Sequence, residues 1–165
     1  MAARKDSEPS RTTVRKTSDR EVVVTRTFDA PARLVFEAWS KPELFKRWWV
    51  PRSMGMTLRS CELDVRTGGT YRLEFGDDPA NPMAFFGRYL EVVPNQRIVW
   101  TNEESGDAAS VTTVTFEERD GTTQLVLTER YPTKEALDEA GTGAQEAMGE
   151  TFEQLDEVLA GLSAH

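Results

Sequence analysis

Between residues 56 and 131 the chain consists of short runs of alternating apolar and polar side chains broken by turn residues. That pattern confines most of it to an antiparallel sheet. In Tyr71-Arg72-Leu73-Glu74-Phe75 the apolar residues recur at every second position, the period at which a strand buries one face and wets the other. A strand is predicted over 56–65, and Gly68-Gly69 supplies a turn where positive φ is cheap. Further strands are predicted over 84–93, 97–103, 110–118 and 122–131. Pro94-Asn95 and Asp120-Gly121 mark hairpin turns, and 77–82 a loop. Connections this short join antiparallel neighbours, so the strands should form a meander.

The flanks change character. Glu21 to Phe28 is rich in β-branched residues and reads as a strand. Pro31 opens a short helix, where its missing N–H costs nothing, and Leu34, Val35, Ala38 and Trp39 give that helix an apolar face. Ser40 and Glu43 have the spacing of a capping box ahead of a second short helix that turns Leu44, Phe45 and Trp48 inward. Thr133 is placed to cap a helix over 134–140. Beyond it, Met148, Phe152, Leu155, Leu159 and Leu162 form one helical stripe with Glu and Gln opposite. Gly141 and Gly143, each worth roughly 1 kcal/mol of lost helix propensity against Ala, predict a break between the two. The expected architecture is α+β: a curved antiparallel sheet of six or seven strands around a long C-terminal helix, with two short helices after the first strand. A cavity is expected where sheet and helix do not touch.

The 165 residues suit one domain, here assigned to 20–162, with 1–19 expected as a disordered tail because they hold few apolar residues. The formal net charge is −8. Residues 1–20 carry +3, so the remainder carries −11. An acidic body disfavours nucleic acid and anionic lipid surfaces. No apolar run reaches the ~18 residues that span a bilayer, and no secretory signal is visible. Cys61 is the single cysteine, which with the missing signal points to the cytoplasm.

Several stretches together resemble one family. Phe28-Asp29-Ala30-Pro31 leading to Trp39 matches its opening, and Arg47-Trp48-Trp49-Val50-Pro51 is similar to its Trp-Trp-Gly-Pro signature. Asp64 to Tyr71 is similar to its Arg-Pro-Gly-Gly turn. Gly87 to Pro94 with Ile98-Val99-Trp100-Thr101 is similar to its central hairpin, and the Thr-rich pair 111–116 and 122–128 completes the match. The chain thus resembles the START-like (SRPBCC) superfamily over about residues 20–160, and within it the bacterial relatives of the heat-shock ATPase activator C-terminal domain (Aha-like). Val50 stands where Gly is usual, Thr67 where Pro is usual, and Gly149-Glu150 where many relatives have Gly-Trp. The resemblance implies a helix-grip fold with an internal cavity. It also implies a range of roles: binding of apolar molecules, cyclase or hydrolase activity, or chaperone assistance.

The residues themselves favour a binder. Trp39, Trp48, Trp49 and Trp100 suit a core or a ligand wall; Trp49 is the leading candidate for a cavity, because it follows Trp48 and must point elsewhere on a helix. Met54, Met56, Met83 and Met148 offer adaptable lining or simple gap filling. Phe75, Phe85, Tyr89 and Phe152 belong to the expected interior between sheet and helix. His165 is the single histidine and is terminal, so there is no Ser-His or Cys-His pair and no His metal site. Cys61, in a strand, reads as an inert thiol. Arg72, Glu74, Arg88, Tyr89 and Glu91 supply the ionisable groups an enzyme would need, but Arg72 and Glu74 alternate against an apolar face. Asp77, Asp78 and Asn81 lack calcium-loop spacing, and Gly68-Gly69 is no phosphate loop. The expected partner is a small apolar or aromatic molecule, with no cofactor, no nucleic acid and no membrane insertion. A homodimer, or a protein docked on the acidic helix face of Glu146, Glu150, Glu153, Asp156 and Glu157, stays open.

Overall fold

The computed structural model describes residues 12–50, 52–55, 58–76, 80, 83–103, 110–140, 145 and 147–163. Eight strands form one antiparallel sheet: β1 (Thr13–Ser18), β2 (Glu21–Phe28), β3 (Leu58–Leu63), β4 (Thr70–Phe75), β5 (Met83–Val93), β6 (Arg97–Asn102), β7 (Ser110–Arg119) and β8 (Thr122–Arg130). Their spatial order is β1-β2-β8-β7-β6-β5-β4-β3. From β3 to β8 the sheet is a meander, and the β1–β2 hairpin then pairs along β8. Helices α1 (Ala32–Ser40) and α2 (Pro42–Trp48) follow β2, a single 3-10 turn covers Arg52–Met54, and α3 (Lys134–Ala140) and α4 (Met148–Ser163) close the chain. This is a curved sheet gripping a C-terminal helix, the helix-grip fold.

Turn chemistry fixes the register. Asp120 and Gly121 both adopt positive φ (56° and 82°), as a two-residue hairpin turn requires, and β7 and β8 pair in register from Val111–Arg130 to Arg119–Thr122. Gly87 has a different task. A Cβ there would lie 1.9 Å from the Thr101 carbonyl oxygen, so only glycine lets β6 backbone approach β5 this closely.

Three expectations need correction. β1 falls in the stretch assigned to a disordered tail, yet Thr13–Ser18 pairs with β2; it is a polar edge strand held by backbone hydrogen bonds, which apolar periodicity cannot reveal. With β1 the strand count is eight rather than six or seven. The Ser40–Glu43 capping box does not form: Lys41 is the N-cap of α2 without a side-chain cap, Pro42 sits in its first turn, and the Ser40 hydroxyl instead donates to the Glu37 carbonyl. The Thr133 cap is present, its Oγ1 accepting from the Ala136 N–H at 3.0 Å. The residues expected to break the final helix, Gly141 and Gly143, and the 77–79 and 81–82 parts of the predicted loop lie outside the described residues.

The core runs between the concave face and the helices. Val22, Val24 and Phe28 of β2, Val35 and Trp39 of α1, Trp48 of α2, and Phe152, Leu155 and Leu159 of α4 are all buried. Phe152 packs edge-on to Phe28 with ring centroids 5.4 Å apart and lies 6.4 Å from Trp48. Full burial of each such side chain stabilises the fold by ~1.5–3 kcal/mol. Two polar side chains lock α4 in place. Arg26, 3% exposed, projects inward from β2 and pairs with Asp156, with a second hydrogen bond to Thr12 at 2.8 Å. Gln154, also 3% exposed, donates to the carbonyls of Trp48 (3.0 Å) and Val50 (2.9 Å) and accepts from the Arg52 N–H (2.9 Å). Those carbonyls lie at the C-terminal end of α2, where helix geometry leaves them unpaired.

Candidate functional site

A cleft opens between α1–α2 and strands β3 to β6. Trp39 comes from α1, Phe45 from α2, and Trp49 from the residue that ends α2. Leu63, Tyr71, Leu73, Phe85, Tyr89, Ile98, Trp100 and Asn102 come from the strands. Period two explains why the strands deliver them: Tyr71 and Leu73 share the inner face of β4, and Phe85 and Tyr89 that of β5. A bulge between Tyr89 and Glu91 keeps Tyr89 opposite Trp100 while Val92 pairs with Ile98. The space open to water in the cleft is about 60 Å³. One water needs roughly 10–15 Å³ on that measure, so the cleft holds several, about the solvent one ring would displace.

Aromatic rings dominate the wall. Trp39 is the hub, with centroids 4.8 Å from Trp48, 5.8 Å from Trp49 and 5.7 Å from Trp100. Phe45 stacks on Trp49 at 4.8 Å. The Trp39 indole N–H is buried without an oxygen or nitrogen partner; the rings around it present π faces, which are weak acceptors.

The polar end of the cleft is mostly self-satisfied. The Tyr71 hydroxyl donates to the Thr101 carbonyl at 2.7 Å and lies 3.2 Å from Asn102 Oδ1. Asn102 Oδ1 also accepts from Trp100 Nε1 at 3.3 Å, and Asn102 Nδ2 donates to Ser110 and Thr112, each at 2.9 Å. Ser110 in turn donates to Glu129 at 2.8 Å, and Gln145 Nε2 donates to Glu129 at 3.2 Å and to Tyr131 at 3.0 Å. No Asp, Glu, Lys, Arg or His is among the described lining residues. Burial, with the Cys61 thiol and the Asp64 carboxylate nearby, pushes the Tyr89 hydroxyl pKa well up, so it keeps its proton.

Of the residues singled out from sequence, Trp39, Trp49, Phe85, Tyr89 and Trp100 meet at this cleft. Trp48 is wholly buried behind it, its Nε1 donating to the Ala38 carbonyl at 3.0 Å. Phe75 lies 5.1 Å from Phe85 but is core. Phe152 and Met148 belong to α4, which does not line the cleft. Among the described residues this cleft lies under α1 and α2, and Phe152 and Leu155 are buried beneath α4. The side chains of Met54, Met56 and Met83 lie outside the described residues. Leu63, Ile98 and Asn102 carried no sequence signal for a site; Phe45, Tyr71 and Leu73 were visible only as inward-facing.

The acidic helix face is partly paired within the chain, with Glu153 exposed. Glu150 accepts from the N–H and hydroxyl of Ser53, Glu157 pairs with Arg52 at 2.6 Å, and Asp156 holds Arg26. Glu146 lies outside the described residues. Arg72 and Glu74 pair with each other at 2.8 Å on the outer face.

A family model described as activator of Hsp90 ATPase homolog 1-like protein matches residues 29–160. The chain belongs to this family. Solved structures share its fold. A Rhodobacter sphaeroides protein superposes with a TM-score of 0.83 at 24% identity, covering 92% of this chain and 99% of its own. A Nitrosomonas europaea protein gives 0.76 at 24% identity, covering 91% and 100%. A Rhizobium leguminosarum protein gives 0.66 at 31% identity, covering 85% and 93%. No curated protein matches. Among the described residues, no helix is long and apolar enough to cross a membrane.

Proposed function

We propose that this Aha-like chain binds a small apolar or aromatic molecule in the cleft between α1–α2 and strands β3 to β6. The observation that carries the reading is the wall itself: Trp39, Phe45, Trp49, Phe85, Tyr89 and Trp100 converge on open space with no charged residue among them. Ring faces bury large apolar area at little entropic cost, which is what a small-molecule pocket uses. A hydrolase or cyclase reading lacks a base among the described lining residues: the Tyr71 hydroxyl donates to the Thr101 carbonyl, Tyr89 keeps its proton, and no carboxylate is among them. A protein-docking role rests on the family description, and three of the α4 carboxylates, Glu150, Asp156 and Glu157, are already paired within the chain.

Native mass spectrometry of protein purified from its own host tests the proposal. A reproducible small molecule at one per chain, released into organic solvent, is the expected result. Protein that is empty and also ignores an apolar library would overturn it.

A further inference from the structure

The polar groups around the cleft differ in one respect. Tyr71 and Tyr89 are neighbours, with ring centroids 5.7 Å apart, and both are more than nine-tenths buried, at 8% and 6% exposure. The Tyr71 hydroxyl is spent on Thr101 and Asn102. Asn102 is saturated on both its oxygen and its nitrogen. Among the described residues no group hydrogen-bonds the Tyr89 hydroxyl, yet its oxygen is not among the buried unpaired atoms that water cannot reach. Of the two hydroxyls in the described wall it is therefore the one that a molecule in the cleft can satisfy.

We propose that the ligand of this cleft is an uncharged ring compound with one acceptor oxygen, of the ketone, quinone or ester type, which receives the Tyr89 O–H. The proposal rests on the binding reading above and names the ligand's chemistry. Three features set that chemistry. Tyr89 holds its proton, because burial and the nearby Asp64 carboxylate both oppose the phenolate; it therefore acts as a donor and asks for an acceptor. Among the described residues the wall has no cation, so a carboxylate or phosphate entering it would shed its hydration without a counter-charge. Beyond Tyr89, the unspent polar group of the wall is another donor, the buried Trp39 indole N–H, so a donor group on the ligand would go unpaired.

The test uses the full chain and three probes of nearly one shape: acetophenone, α-methylstyrene (in which =CH2 replaces =O) and benzoate. Binding is followed by the indole N–H resonances in 1H–15N spectra, for the native chain and for Tyr89→Phe. Acetophenone should bind about three- to tenfold more tightly than α-methylstyrene, the range one net hydrogen bond supplies. Tyr89→Phe should bring the two affinities within about twofold of each other, and indole N–H resonances as dispersed as those of the native chain show that the variant is folded. Benzoate should be the weakest of the three. Equal affinities for ketone and hydrocarbon in the native chain, a preference that survives in Tyr89→Phe, or benzoate equal to acetophenone would each overturn the proposal with the cleft still a binding site. Absence of binding by all three would overturn both the proposal and the reading beneath it.

Discussion

Gln154 uses its whole side-chain amide to hold the end of α2, and that makes it the sharpest test of how the cleft wall is built. Its three hydrogen bonds, to the Trp48 and Val50 carbonyls and from the Arg52 N–H, are all 2.9–3.0 Å long. Gln154→Leu keeps the approximate volume and removes all three. At ~1 kcal/mol net each, the loss is about 3 kcal/mol, less up to ~1 kcal/mol regained from the added apolar surface. A net cost of 2–3 kcal/mol shifts the midpoint of thermal unfolding by roughly 4–12 °C for a domain of this size. Gln154→Glu should be worse at neutral pH, because a carboxylate would face two carbonyl oxygens. That deficit should shrink on acidification. Burial raises the folded pKa of such a Glu, so its stability is intact below the unfolded pKa and is lost as pH rises through the folded one. Urea unfolding of the three proteins from pH 4 to pH 8 is the assay. A cost below about 0.5 kcal/mol for Gln154→Leu, or identical behaviour of the Leu and Glu variants at every pH, would refute the reasoning.

Other outcomes follow from the same geometry. Asp156→Ala should cost ~3 kcal/mol or more, because it strands the buried Arg26 guanidinium, whereas Arg26→Met should cost less, since Asp156 can turn to water; chemical denaturation of both variants checks the order. Gly87→Ala should unfold the chain or cost more than 2 kcal/mol, because its Cβ would collide with backbone rather than with a side chain that could move; circular dichroism on heating measures it. Burial pushes the Cys61 thiol from 9.0 to about 11. Between those two values the unfolded chain loses its proton first, so this thiol contributes stability that falls as pH rises from 9.0 to about 11. Cys61→Ala should flatten that part of the pH–stability profile, and alkylation of the native thiol at pH 8 should be slower than that of a free cysteine.

The sheet was legible because its signals are local. Alternation in 71–75 and paired turn residues such as Asp120-Gly121 act over a few residues, and six strands fall where they predict. The polar strand β1 gave no such signal, since its partners are backbone groups of β2. Arg26 was hidden for the opposite reason: amid β-branched residues, a lone Arg reads as the wet face, and only α4 brings the carboxylate that lets it turn inward. The aromatic set was readable as a group but not as a place. Which Trp is wall and which is core depends on how far α2 tilts, and that is set by Gln154, more than a hundred residues away in sequence. Asn102, the polar end of the cleft, is one strand-terminal residue with partners on three other strands.

The close approach of β6 to Gly87 has an evolutionary consequence. Where β6 meets Gly87, main chain lies against main chain, through a residue with no side chain to vary. A lineage carrying this scaffold can exchange the rings at 39, 49, 85, 89 and 100, and so change what the hollow accepts, without touching that contact, whereas any side chain at 87 would force the two strands apart.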